Sequence, residues 1–259
     1  MTALVAVISG VYGLVIGSFL NVVIWRVPRR ESLVAPGSHC PGCDAPISPR
    51  DNIPLVSWLM LRGRCRHCGE RISIRYPFIE VLTAVLFAAV GARFYDSWAL
   101  PAFLVLTAAL IAISAIDLEH FIIPNRIVYP VGIASVILLA GAAAIEHDFS
   151  TFGRALLGAV GAFTFFFILH LVAPGGMGFG DVRLSAVLGL FLGWMGGMQV
   201  FGGLFLGFFL GAVIGMVLIA VGSRGRKQHI PFGPFLAAGT MIFVLFGDPI
   251  THWWRGLGH

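Results

Sequence analysis

Charge is what this sequence has least of: Asp, Glu, Lys and Arg together make up 11% of its 259 residues, against about 25% in a soluble globular domain. With 58% of residues hydrophobic and a mean hydropathy of +0.92, no single water-solvated core can absorb the apolar side chains. A soluble enzyme is excluded. The composition also rules out a disordered chain, a collagen-like chain and a disulfide-stapled secreted scaffold. Strict alternation of apolar and polar residues is absent, and with it a transmembrane β-barrel. Acidic residues are outnumbered, for a net charge of +5. The basic residues sit in short loops beside apolar runs, which is the pattern of a membrane protein, and no nucleic-acid partner is expected.

What is present is a succession of apolar runs near 20 residues, each long enough to cross a hydrocarbon layer about 30 Å thick. They predict an all-α polytopic membrane protein of about eight transmembrane helices. The runs lie near 4–25, 77–95, 99–117, 125–145, 152–173 and 233–250, with 39 apolar positions at 184–222 between the last two. As one helix that stretch would far exceed the bilayer, so it is expected to break at Gly196-Gly197, leaving a short sixth span. The first run has no basic residue ahead of it and no small-residue cleavage site after it, so it is read as a retained helix and not a signal peptide. The expected organisation is a first helix (1–25), an extramembrane domain (26–75) and a seven-helix membrane domain (76–259).

Lys and Arg are retained on the cytoplasmic side of short loops. With both termini outside, fourteen basic residues fall inside, nine of them Arg within 26–75, and only Arg93, Arg154 and Arg255 fall outside. An odd number of crossings between Arg183 and Arg224 would put the cluster of Arg224, Arg226 and Lys227 outside. Parity therefore favours the Gly-Gly break.

All four cysteines belong to the 26–75 domain, as Cys40-Pro-Gly-Cys43 and Cys65-Arg-His-Cys68, with 21 residues between the pairs. Four thiolates on two tight turns suit a tetrahedral zinc ion, although the spacing is slightly beyond the usual range of about 15–20. In a reducing cytoplasm disulfides are disfavoured. Four Cys ligands leave no open position for water, so the zinc is expected to be structural, and a small domain with few large apolar residues needs it to fold.

Ionisable residues at membrane depth are costly and point to function. Asp117 ends the third span and Asp181 opens the sixth, in Gly178-Phe179-Gly180-Asp181. Both fall at the inner membrane surface on the topology above, so distant parts of the chain supply two carboxyls to one site. Such a pair repels when both members are ionised, so one keeps a proton while the other takes a proton from water, as in an aspartic protease. Taken singly, Asp181 also fits an N-cap and Asp117 an ordinary interfacial residue. Gly176, Gly178 and Gly180 allow close backbone approach by an extended peptide. The run follows a membrane helix and not a strand, which sets a nucleotide loop aside. Asn21, Glu80 and His170 read as interhelical hydrogen-bonding residues before they read as chemistry.

These residues resemble the type IV prepilin peptidases, the bifunctional leader peptidase and N-methyltransferase family of bacteria. The resemblance runs over nearly the whole chain: residues 17–26 around Asn21, both Cys pairs, Arg75-Tyr76-Pro77-Phe78-Ile79-Glu80, residues 117–124, Gly178-x-Gly180-Asp181, and Ile230-Pro231-Phe232-Gly233-Pro234. Arg183 stands where many members have Lys. The resemblance implies a multi-pass protein of the bacterial inner membrane that removes the basic leader from prepilin or pseudopilin precursors. It further implies methylation of the new amino terminus with S-adenosylmethionine. Asp117 and Asp181 take the catalytic roles, with Gly178, Gly180, Pro231, Gly233, Glu80 and Asn21 in support and Cys40, Cys43, Cys65 and Cys68 on the metal. No methyl-donor fold is visible in 26–75. Because leader and loop are both basic, anionic lipid is expected to hold the two at the inner surface.

Two other readings compete. A proton-coupled transporter calls for carboxylates near the bilayer midplane and an internal repeat, whereas these lie at span ends and no repeat is visible. A non-enzymatic assembly factor would use the Cys domain for docking and would tolerate Asp to Asn.

Overall fold

The computed structural model describes residues 1–172, 177–221 and 231–256, apart from the side chains of Ile219 and 252–256. Gly176, Ile230 and the cluster Arg224, Arg226 and Lys227 lie outside the described residues. Helices carry the chain, and two isolated bridges, His39 to Pro46 and Arg64 to Arg71, are the only β pairing among the described residues. Contacts divide the chain into two compact units, Met1–Tyr95 and Asp96–His259.

The first unit is built on α1 (Thr2–Arg26) and α3 (Arg75–Arg93), with a 3-10 turn at Pro49–Asp51 and the short α2 (Val56–Met60) between them. Nothing in α1 interrupts the helix before Arg26, whose charge suits the negative end of the helix dipole. The two long helices approach closely because the contact face of α1 carries glycine: a Cβ on Gly17 would lie 2.7 Å from Glu80 Cα. The far face of α1 stays apolar and exposed at Leu4, Val7, Val11 and Val15, as a lipid-facing surface requires. Arg26 then turns inward, and its guanidinium donates to the carbonyls of Ser32 (2.9 Å) and Pro36 (2.6 Å), fixing the chain as it leaves the helix.

The second unit holds α4 (Leu100–His120), α5 (Asn125–Glu146), α6 (Phe149–Val172), α7 (Phe179–Met195), α8 (Gly197–Ala220) and α9 (Gly233–Gly256). Its interior belongs to α4 and α7, which bury Phe103, Leu106, Ile113, Leu184, Leu188 and Leu192. Phe103 meets Phe191 edge to face at 5.0 Å. By contrast α6 and α8 present Leu157, Val160, Phe201 and Phe205 outward. Two helix ends are satisfied by side chains. Asp148 accepts from the Thr151 amide at 3.1 Å and starts α6, and Arg154 donates to the carbonyls of Gly193 and Trp194, both at 3.1 Å, at the end of α7.

The expected break is present. Helix α7 stops at Met195, Gly196 has φ +151°, and α8 begins at Gly197. A side chain at Gly196 would strain the backbone and run into Gln199. Among the described residues seven helices are long and apolar enough to cross a membrane. At 17 residues α7 is shorter, about 25 Å at 1.5 Å per residue, and the expected short sixth span is not among those seven.

Candidate active site

Three chain segments converge in the second unit. Helix α4 ends where Phe121 takes the left-handed conformation (φ 57°) and its amide bonds Asp117 O at 2.9 Å. Ile123-Pro124 then forces extended backbone before α5. That leaves Asp117 in the last turn of α4, 4% exposed. Helix α7 begins at Phe179 with Gly178 as its N-cap residue. Asp181 therefore lies inside the first turn, at the positive end of the helix, and is not the cap. It is 7% exposed, and its Oδ2 turns back against Gly178. The third segment is the start of α9, where Pro231 is buried and the Gly233 amide donates to Asp117 Oδ2 at 2.9 Å.

Glycine permits this convergence. A Cβ on Gly233 would lie 2.8 Å from Asp117 Oδ2, and one on Gly180 would lie 2.9 Å from the Ile123 Cβ. The aspartates are drawn to one place through Ile123, which lies against Gly180 on one side and Gly233 on the other. They are also unequal, since Asp117 holds a backbone donor whereas Asp181 Oδ1 is buried with no partner among the described residues. Two buried carboxyls with one unclaimed oxygen can bind and deprotonate water.

Two further residues complete the site. Ile123 packs beside both Gly180 and Gly233. Arg183, which follows Asp181 by two positions, donates to Asn125 Oδ1 and lies over Phe179 at 4.5 Å, joining the starts of α5 and α7. Ile123 falls inside the 117–124 motif and Arg183 follows Asp181 closely, but the sequence alone assigned neither a place in the site.

Asn21 and Glu80 are placed in the first unit, on the wall of a cavity of about 870 Å³ formed wholly by residues 18–80. Glu80 accepts the Leu55 amide at 2.7 Å, and Asn21 Nδ2 donates to Tyr76 O at 3.1 Å. His170 Nδ1 lies 3.0 Å from Met177 O, a structural hydrogen bond.

The four cysteines gather into a cluster able to hold a metal ion. Their sulfurs all lie within 4.8 Å of one another, and Cys40 Sγ is 3.8 Å from Cys68 Sγ. That is the edge of a tetrahedron with metal–sulfur bonds of about 2.3 Å. The two turns are alike: the Cys40 amide bonds Ala45 O at 3.0 Å and the Cys65 amide bonds Glu70 O at 2.8 Å. Asp44 and Gly69 hold equivalent positive-φ positions. Backbone amides of Cys68 and His67 aim at Cys65 and hold its thiol down at about 6. Against the Glu70 amide, burial and the neighbouring sulfurs push Cys68 up to about 12. A cluster in this state releases protons when a cation arrives.

Residues 11–94 match the Bacterial Peptidase A24 N-terminal domain, and residues 104–221 match the Type IV leader peptidase family. A protein of Aeromonas hydrophila named prepilin leader peptidase/N-methyltransferase is 38% identical over 94% of this chain and 91% of its own length. One of Bacillus subtilis with the same name is 36% identical over 93% and 94%, and one of Myxococcus xanthus is 41% identical over 87% and 67%. No solved structure matches the chain. The transporter and assembly-factor readings find no support among these relatives. Identity at this level over nearly the full length, with the aspartates and cysteines in the order the resemblance requires, makes the chain a member of the type IV leader peptidase family.

Proposed function

We propose that this protein cuts the leader from prepilin or pseudopilin precursors with Asp117 and Asp181 and methylates the amino terminus that cleavage exposes. The observation that carries the peptidase reading is the pairing of two buried carboxyls at neighbouring helix ends, with Asp181 Oδ1 unclaimed. The pair shares one proton. Its ionised member takes a proton from water as the oxygen attacks the scissile carbonyl, and its protonated member donates to the carbonyl oxygen as charge builds there. Collapse of the tetrahedral species returns a proton to the leaving amine. Gly178 and Gly180 support an extended substrate beside Asp181, while Gly233 and Pro231 support Asp117.

The Cys site is assigned to one structural zinc, since thiolate donors at these distances suit that ion. S-adenosylmethionine supplies the methyl group. The basic loop supports an orientation with 26–75 in the cytoplasm and both termini on the far side of a bacterial inner membrane. Anionic lipid then gathers the basic leader at the same surface.

Purified protein incubated with a prepilin, with and without the methyl donor, tests this reading by mass spectrometry. The expected products are a free leader in both cases and a singly methylated mature chain only with the donor. An uncut precursor would overturn the peptidase assignment, and a cut but never methylated product would overturn the second activity.

A further inference from the structure

We infer that α2 lies in the bilayer itself, an interfacial element of the 26–75 segment whose Val56, Leu59 and Met60 side chains enter the boundary between lipid headgroups and acyl chains. The inference concerns the first unit alone. It deepens the lipid part of the reading above and does not rest on the chemistry of the aspartates.

A helix at the surface of a water-solvated domain turns its apolar side inward. Helix α2 does the reverse. Its polar residue Ser57 is buried, and the hydroxyl there donates to Arg50 O and accepts from the Ile53 amide, both at 2.9 Å. Val56, Leu59 and Met60, at positions i, i+3 and i+4, share one face and are 47%, 58% and 75% exposed. Ile53, just ahead of the helix, is exposed as well. Water solvates such a face poorly, whereas the headgroup–acyl boundary suits it.

Helix α3 fixes the depth at which this face lies. It has 19 residues, about 28 Å at 1.5 Å per residue, so it needs nearly all its length to cross a hydrocarbon layer about 30 Å thick. Its first two turns therefore stand at the edge of that layer, and Phe78 and Val81 are exposed there as lipid-facing residues must be. Glu80, in the second turn, accepts the Leu55 amide at the head of α2 at 2.7 Å. Trp58 Nε1 donates to the carbonyl of Ile72, just ahead of α3, at 3.3 Å. These bonds lay α2 beside the entry of α3, so its apolar face continues the lipid-facing surface of α3 at the same depth. Arg62 and Arg64, which follow α2, are exposed and form no ion pair among the described residues. Cations at that level suit lipid phosphates.

Photolabelling of the full-length zinc-loaded protein tests the placement. The vesicles are phosphatidylethanolamine and phosphatidylglycerol, doped with a phospholipid that carries a diazirine on the first carbons of its acyl chain, and peptide mass spectrometry locates the adducts. Label is expected on 53–60 at a level comparable with that on 76–81, and not on the turns 40–43 and 65–68. Leu59→Asp with Met60→Asp puts two carboxylates on the same face and should lower the label on 53–60 by about tenfold or more. Zinc content and hydrolysis of a short water-soluble prepilin peptide should stay as in the wild type. The wild-type pattern alone decides the matter if that variant fails to fold. Label on α3 with none on 53–60, or undiminished label in the variant, overturns the inference. If a second copy of the chain or the precursor covers the face instead, bifunctional reagents will join 53–60 to protein and the lipid label will be missing. The effect of lipid charge on KM is a separate measurement, so loss of α2 from the bilayer would leave the functional reading standing.

Discussion

Gly233 gives its backbone amide to Asp117 Oδ2 at 2.9 Å across 116 positions of sequence. A Cβ built on the same glycine would sit 2.8 Å from that oxygen. One residue thus supplies a donor and keeps the space for the carboxylate it orients.

Gly233→Ala is therefore expected to shift the Asp117 carboxylate and lower kcat/KM for leader cleavage by about 10²-fold, the usual effect of a misplacement near 1 Å. The thermal transition should move far less than the rate does. Kinetics on a prepilin peptide beside a melting curve checks this, and wild-type kinetics would contradict it.

Asp117→Asn and Asp181→Asn each preserve shape while removing proton transfer. Either should cut the cleavage rate by about 10²–10⁴-fold or more, with membrane insertion and zinc content unchanged. Because the carboxyls act as a pair, the double variant should be little worse than either single one.

The helices, the Gly196 break, the aspartates and the cysteines were all legible, because each leaves a local mark. Apolar runs reveal spans, two Cys-x2-Cys turns reveal a tetrahedral site, and an acid at a span end is conspicuous. What stayed hidden depends on tertiary approach. Nothing near Gly233 announces Asp117, nothing near Leu55 announces Glu80, and Ile123 looks like any apolar residue before a proline. Asn21 and Glu80 could be picked out as polar residues beside spans, but the cavity they line arises only when α1, α3 and the intervening loop come together.

One zinc ion per chain is expected from metal analysis. Cys40→Ser should loosen the ion and expose 26–75 to limited proteolysis, while leader cleavage, assigned above to Asp117 and Asp181, is expected to persist. Metal-free protein with an intact domain would refute the structural role.

Ser150, Thr151 and the Thr151 amide hold the Asp148 carboxyl at about 2, below its ordinary 3.8. A carboxyl depressed in the folded state stabilises above its unfolded pKa, and that contribution disappears as pH falls through the folded value. Asp148→Asn should thus melt earlier than the wild type at pH 7, and the gap should close between pH 3.8 and about 2. A gap independent of pH would contradict this.

If anionic lipid gathers the leader, the apparent KM for full-length precursor should rise with salt and in vesicles of neutral lipid, with kcat little changed. Equal KM in both vesicle types would remove lipid from the mechanism without touching the aspartates.

Arg154 grips the last carbonyls of α7, at the end of the helix away from Asp181. A helix is stiff along its axis, so this tether sets how far Asp181 can slide toward or away from Asp117. The alignment of the two aspartates is thereby set from about 19 Å away, much as the length of a piston rod is set at the end remote from the working face.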